Sequence, residues 1–275
     1  MAASAAVDSG DDSVPVQAWR EVFLNVEAAQ NCTTAAEALA SGHSVFMQML
    51  ASRDECKGLK EWASSIASAE QANGLPYPAV GWDQKSGRTR LPVASMQGCK
   101  QQKLCETLLL RSLALFEQQA AGLNEALFGR CPQTIRSASE EEAVWSSDGL
   151  LFSAGEPAIN VYTDGGDFRP HQDKQSITIL LVLSEQSEFE GGGTAFWSHE
   201  NSRLFAGKLS TSLSTAEHTE PTMILRPPAG TALCFGGSVT HAGCANADAP
   251  RAVPHAATRA TTRALAATRS VHIHT

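Results

Sequence analysis

The sequence lacks any C-x-x-C pair, any basic start leading into an apolar run, any apolar stretch of bilayer-spanning length, and any excess of positive charge. Each absence excludes something. The seven cysteines (Cys32, Cys56, Cys99, Cys105, Cys131, Cys234 and Cys244) are odd in number and scattered over 275 residues. That spacing argues against a structural zinc site or a disulfide framework and for reduced thiols. The segment Met1 to Val14 is small, polar and acidic, with Asp8, Asp11 and Asp12, so it has the character of neither a secretory signal nor a transit peptide. With no run long enough to cross a bilayer, the expectation is a soluble, cytoplasmic or otherwise intracellular protein with no membrane partner. A net charge of −8 and a pI near 5.5 leave no general basic face to displace counterions from phosphates, so no nucleic-acid partner is expected.

What is present is ordinary globular material: 43% hydrophobic and 18% charged residues, enough for a sizeable core. Residues 1–14 read as a disordered leader and 15–130 as a mainly helical support region. Thr34-Ala-Ala-Glu37 resembles a capping box that opens a helix through Phe46, Met49 and Leu50. A longer helix is predicted from about Gln102 to Phe128, with Leu108, Leu109, Leu113, Leu115 and Phe116 in one stripe and Gly129 as its stop. Thr89 to Val93 has the texture of a strand. Residues 131–251 form a β-rich core with strands predicted at Ala158–Tyr162, Ser176–Ser184, Thr194–Trp197, Met223–Arg226 and Thr231–Phe235. The last two are joined by the turn Pro227-Pro228-Ala229-Gly230. Helices followed by many short strands indicate α+β, with a barrel or jelly roll as the β part and the leucine stripe packed on its outside. Residues 252–275 are an atypical Ala/Thr/Arg-rich tail, in which only Ser270 to Thr275 alternates like a strand.

The sharpest local feature is His171-Gln172-Asp173, preceded by Gly165, Gly166 and Pro170. On a strand, residues i and i+2 face the same way, so an imidazole and a carboxylate can reach one metal ion. His241, after Gly236-Gly237, is the natural third ligand, turned inward from a loop. Two histidines and one carboxylate on one face leave coordination positions open, as in non-haem Fe(II) oxygenases. An H-x-D triplet alone is weak evidence, because chance and surface loops supply most of them. Lys174 reads as solvated or ion-paired, Phe196 and Trp197 as core, Gly191-Gly192-Gly193 as a turn rather than a phosphate loop, and His272 and His274 as a frayed tail.

Further residues complete a pattern. Tyr162-Thr-Asp-Gly-Gly-Asp-Phe-Arg-Pro-His171-Gln-Asp173, Phe189-Glu-Gly-Gly-Gly-Thr194-Ala-Phe196 and Pro227 through His241 to Gly243 follow in order, with Arg251 ten positions beyond His241. Together they resemble the prolyl 4-hydroxylase-like branch of the Fe(II)/2-oxoglutarate-dependent dioxygenases, over about a third of the chain. The resemblance implies a double-stranded β-helix (jelly-roll) core, with Fe(II) held by His171, Asp173 and His241. It implies 2-oxoglutarate and O₂ as co-substrates, with Arg251 on the distal carboxylate and Tyr162 and Thr194 adding hydroxyl donors. It further implies L-ascorbate as an accessory factor and hydroxylation of a C–H bond, with succinate and CO₂ as co-products. The substrate would be a peptide, a protein or a small molecule, with a prolyl residue as the leading target. Related halogenases carry a small residue where Asp173 stands, so hydroxylation is favoured. The family normally continues past its basic residue into an apolar strand. Here Arg251 is followed by Ala-Val-Pro254, which is poor strand material and leaves the closing strand open.

Rival readings are separable. Nucleic-acid demethylases of the same fold carry two arginines six apart after the second histidine; Arg251 has Ala257 at that offset, and Arg263 and Arg269 lie too far on. A catalytically silent binding module has little reason to keep the complete triad. A cupin-like isomerase or hydrolase gives no reason for Tyr162, Thr194 and Arg251 to coincide.

Overall fold

The computed structural model describes residues 19–73, 81–83, 87–92, 100–123, 125, 157–162, 165–173, 177–198, 220–248 and 269–274. The short helix α1 (Val26–Gln30) is capped by Asn25, whose side chain accepts from the Ala28 amide. Helix α2 (Ala35–Ala40) begins where the sequence places it, because Thr34 Oγ1 accepts the Glu37 amide at 3.1 Å. Only half of the capping box forms: the Glu37 carboxylate turns to the Thr33 amide and hydroxyl, at 2.7 and 2.6 Å.

The helix does not run on to Leu50. It stops before Gly42, whose φ of +75° suits glycine, and the chain continues as strand β2 (Ser44–Met49). The physical reason is that β2 is covered on both faces. Phe46 joins the cluster under the helices and Val45 the cluster between the sheets. A strand buried on both faces shows no period-two alternation, so its pattern reads equally well as helix. Helix α3 (Arg53–Asn73) follows, then α4 (Lys100–Gln119). Helix α4 ends earlier than the sequence suggests, with Gly122 at φ +85° just beyond it; Gly129 lies outside the described residues. The two helices are tied by Arg111, which makes a two-pronged contact with Glu55 at 3.1 Å per arm and also donates to the Leu50 carbonyl. Burial works to raise the Glu55 carboxyl. Hydrogen bonds from Arg111 and Ser52 outweigh it and hold the group below the ordinary carboxylate range.

The strands form two principal sheets, and every pairing is antiparallel. The large sheet runs in the order β1 (Arg20–Phe23), β2, β11 (Thr231–Gly236), β7 (Ile177–Val182), β14 (Arg269–His274), β5 (Ala158–Tyr162), β4 (Arg88–Pro92), β3 (Gly81–Asp83). The small sheet runs β10 (Met223–Leu225), β9 (Thr194–Trp197), β12 (Thr240–Gly243), β6 (Phe168–His171), and β13 (Asn246–Asp248) pairs with β8 (Phe189–Gly191). Alternation along the large sheet sorts its residues by layer. Ile159, Val161, Ile179 and Leu181 face outward and pack with Leu109 and Phe116 of α4. Leu180, Leu233 and Phe235 face inward and meet Phe196 of the small sheet, the Phe196 and Phe235 rings standing 5.1 Å apart edge to face. The leucine stripe therefore covers the outside of the β core. Among the described residues no strand pairs across from one principal sheet to the other, so the β part is two packed sheets rather than a closed barrel.

The strand that the sequence left open is Arg269–His274. It lies between β5 and β7, with Arg269 opposite Val161 and Ser270 opposite Val182. No described helix is long and apolar enough to cross a membrane. Among the described cysteines none forms a disulfide, and burial raises the Cys56 thiol to about 12 and the fully buried Cys234 well above its usual range.

The turn at Gly230 locks three strands together. Its amide donates to the Val182 carbonyl at 2.8 Å, and its carbonyl accepts from the Leu50 and Ala51 amides at 2.8 and 3.0 Å. Its φ is +88°, and a Cβ there would stand 2.3 Å from the Ala51 carbonyl oxygen. Gly230→Ala should therefore cost more than about 1 kcal/mol. Gly58→Ala, in open space on α3, should stabilise by about 0.5–1 kcal/mol. Thermal melts of the two variants check this; equal melting temperatures would contradict the backbone argument.

Candidate metal centre

The site is assembled by adjacent strands. β6 and β12 pair with His171 directly opposite His241, and Asp173 follows two residues after His171. His241 stands inside strand β12 rather than on a loop, and it is 1% exposed. The ring centroids of the two histidines are 4.3 Å apart. Phe235 from the large sheet packs against His241 at 4.8 Å and Phe168 against His171 at 4.3 Å, which fixes both imidazoles. Arg88 lies over the Phe168 ring, its guanidinium carbon 3.8 Å from the ring centre.

The donor atoms converge. His171 Nε2 is 3.3 Å from Asp173 Oδ1, His241 Nε2 is 3.5 Å from Asp173 Oδ2, and one atom from each of the three residues lies within 4.8 Å of the others. In each histidine Nδ1 is placed on the carbonyl two residues back, Arg169 at 2.9 Å and Val239 at 3.2 Å. An imidazole that donates from Nδ1 presents its lone pair at Nε2. Two such lone pairs and a carboxylate then face one point. Three acceptors held this close, inside a largely buried cleft, repel one another unless a cation is shared among them. Ligands about 2.1 Å from one ion and at right angles stand about 3 Å apart, close to the spacing seen here. The residues present therefore fit a divalent metal. Thr178 Oγ1 donates to Asp173 Oδ2 at 2.6 Å and orients the carboxylate, and Gln172 Nε2 donates to Thr240 at 3.1 Å, tying the turn after β6 to β12.

Beside the triad is a narrow pocket with a cavity volume of about 30 Å³, whose lining includes Tyr162, Phe168, Leu180, Thr194 and His241. The Tyr162 hydroxyl would stand 3.4 Å from a Cβ at Gly243, two residues beyond His241. Of the residues singled out from sequence, His171, Asp173 and His241 are brought together, and Tyr162 and Thr194 share the adjoining pocket with His241. Arg251 and Lys174 lie outside the described residues. Phe196 and Trp197 are buried, as their core reading expects.

Three contributors escaped the sequence reading. Thr178 is a polar residue in the otherwise apolar strand Ile177–Val182, and that break in pattern was the available signal. Asn160 is 2% exposed and stands two before Tyr162 on β5. Its neighbours Ile159 and Val161 face the helices, so its amide faces between the sheets, where Oδ1 has no hydrogen-bond partner. Arg226 lines the pocket and carries no sequence signal at all.

No family model matches the sequence, and no curated protein matches it. Solved structures do resemble it. AviO1 from Streptomyces viridochromogenes Tue57 is 11% identical with a TM-score of 0.46, the match covering 88% of this chain and 95% of that one. A Pseudomonas putida prolyl-4-hydroxylase is 13% identical with a TM-score of 0.44, covering 87% and 95%. The non-heme alpha ketoglutarate dependent epimerase SnoN from nogalamycin biosynthesis is 16% identical with a TM-score of 0.44, covering 87% and 82%. At TM-scores below 0.5 these likenesses have no bearing on activity, which must be read from the residues themselves.

Proposed function

We propose that this chain is an Fe(II)- and 2-oxoglutarate-dependent dioxygenase that hydroxylates a C–H bond. The observation that carries the reading is the convergence of two Nε2 lone pairs and one carboxylate at the wall of a pocket. A triad on one side of an ion leaves the remaining positions for a co-substrate and O₂. Within this reading the two packed sheets are those of a double-stranded β-helix with its core in residues 131–251; region 15–130, read as mainly helical, adds β1 to β4 to the large sheet, and the 252–275 tail adds β14.

His171, Asp173 and His241 would hold the iron. Iron bound there supplies O₂ activation coupled to the decarboxylation of 2-oxoglutarate, giving succinate and CO₂. The chain's own residues do the rest. Thr178 holds the Asp173 carboxylate in one orientation, and the Arg169 and Val239 carbonyls keep both imidazoles in the ligating tautomer. Leu180, Val182, Leu225 and Phe168 give the pocket apolar walls that exclude water from the reacting centre. Tyr162 and Thr194 line the pocket beside His241, which supports the reading that their hydroxyls would donate to the co-substrate's carboxylate, the group to which the sequence resemblance also assigns Arg251. A prolyl residue of a peptide or protein is the leading substrate, small molecules the next, and L-ascorbate is a candidate accessory reductant.

The test is succinate release from 2-oxoglutarate with Fe(II), with and without ascorbate and proline-containing peptides. Fe(II)-dependent succinate is expected, rising with a true substrate. If succinate release never exceeds that of a His171→Ala control, the chain is a silent binding module of the same fold.

A further inference from the structure

We infer that Arg88 anchors a carboxylate of the molecule that is oxidised, with Asn160 accepting a hydrogen bond from the same molecule, so that the substrate is a free amino acid. The inference rests on the oxygenase reading above and narrows its substrate.

The sheet register places both residues beside the metal centre. Strands β4 and β5 pair with Arg88 opposite Tyr162 and Arg90 opposite Asn160. Leu91, Ile159 and Val161 belong to the cluster under the helices. Strand alternation then turns Arg88, Arg90, Asn160 and Tyr162 to the other face, toward the small sheet. There Arg88 meets Phe168 of β6, its guanidinium carbon 3.8 Å from the ring centre. The same ring packs on the imidazole of His171 at 4.3 Å, so Arg88 is one aromatic ring away from a metal ligand. Arg88 does not line the pocket shared by Leu180, Thr194 and His241. A ligand held by its fork is therefore distinct from one held in that pocket.

Two polar groups on this face lack partners. Arg88 makes no hydrogen bond or ion pair among the described residues, and its Nε is buried. The face of Phe168 attracts the guanidinium, which offsets only part of the cost of drying it. The residue as a whole is partly exposed, so its two terminal nitrogens are what a ligand can reach. Asn160 is 2% exposed, and its Oδ1 has no partner. A buried amide oxygen left unbonded is costly, and a ligand that donates to it removes that cost. Diagonal neighbours on paired strands stand about 7–8 Å apart, a gap that one small molecule spans.

The chemistry of the two groups selects the ligand. A guanidinium fork receives a carboxylate with two parallel hydrogen bonds. An amide oxygen close by accepts an N–H. A free amino acid carries both, a carboxylate and an ammonium joined through one carbon. An internal prolyl residue of a peptide carries neither.

The experiment uses full-length protein with redox-silent Mn(II) and saturating 2-oxoglutarate, and measures calorimetric binding of the common free L-amino acids and their carboxamides. At least one acid should bind. Its carboxamide keeps the size but loses the charge, and should bind at least about tenfold more weakly, the lower range for losing a charged hydrogen bond. In Arg88→Gln that preference should vanish while Mn(II) affinity stays within about twofold, and Arg88→Lys should restore part of it. Asn160→Leu should weaken the acid yet raise the melting temperature, because an unpartnered amide is replaced by an apolar group of similar size. A purely structural asparagine would give a lower melting temperature and unchanged acid binding, which removes Asn160 from the site. Acid and carboxamide bound equally, or a preference kept in Arg88→Gln, overturns the inference. So does a proline-containing peptide that binds while every free acid fails, and this result leaves the oxygenase reading standing. Wild-type protein that binds neither Mn(II) nor 2-oxoglutarate removes the oxygenase reading itself.

Discussion

Asp173→Ala should abolish 2-oxoglutarate turnover and weaken Mn(II) binding by at least about 100-fold. Altering a group that merely orients a ligand typically costs 10- to 100-fold in metal affinity, and removal of a ligand exceeds that. Asp173 is the only anion of the triad, so its loss leaves two neutral imidazoles to bind a dication in a largely buried cleft. Thr178→Val should produce a smaller loss, in the orienting range, because the carboxylate remains but its hydrogen bond at 2.6 Å does not. Titration calorimetry with Mn(II) separates the cases. Unchanged affinity in Asp173→Ala would remove that residue from the metal's coordination shell.

Leu109→Asp should unfold the protein or leave it insoluble. Leu109 is fully buried between α4 and the outer face of the large sheet. The change loses the burial of a leucine, roughly 1.5–3 kcal/mol, and places a carboxylate where no partner waits, which costs several more. Together these approach the whole stability of a domain, about 5–15 kcal/mol. Lys103→Asp, on the exposed side of the same helix, should shift the melting temperature little. A normal melt for Leu109→Asp would mean that α4 does not cover the sheet.

Much of the site was legible because its determinants are local. His171 and Asp173 are two apart, and a strand sends i and i+2 to one face whatever surrounds it. The strands Ala158–Tyr162 and Thr194–Trp197 were read at their observed bounds, and the Pro-Pro-Ala-Gly turn before Thr231 announced itself through residues that fix φ. The leucine stripe of α4 was visible because a helix buried on one face repeats every three to four residues.

Other features depend on contacts between distant parts of the chain. Ser44–Met49 is a strand only because β1 and β11 flank it; buried on both faces, it carries no period that distinguishes it from a helix. Arg269–His274 follows a stretch unlike any strand, and its place between β5 and β7 is settled by hydrogen-bonding positions those strands leave open. His241 was expected on a loop, yet its pairing opposite His171 makes it part of a strand. Thr178, Asn160 and Arg88 are ordinary residues in sequence. They gain their roles from the neighbours that folding brings to them: a carboxylate five residues away, the gap between two sheets, and the face of an aromatic ring. The sequence by itself determined which side chains could ligate a metal and which turns would place them, because those depend on backbone geometry over a few residues. Tertiary structure alone decided what orients the ligands and which residues line the pocket beside them, because those depend on distances across the sheets that no local pattern encodes.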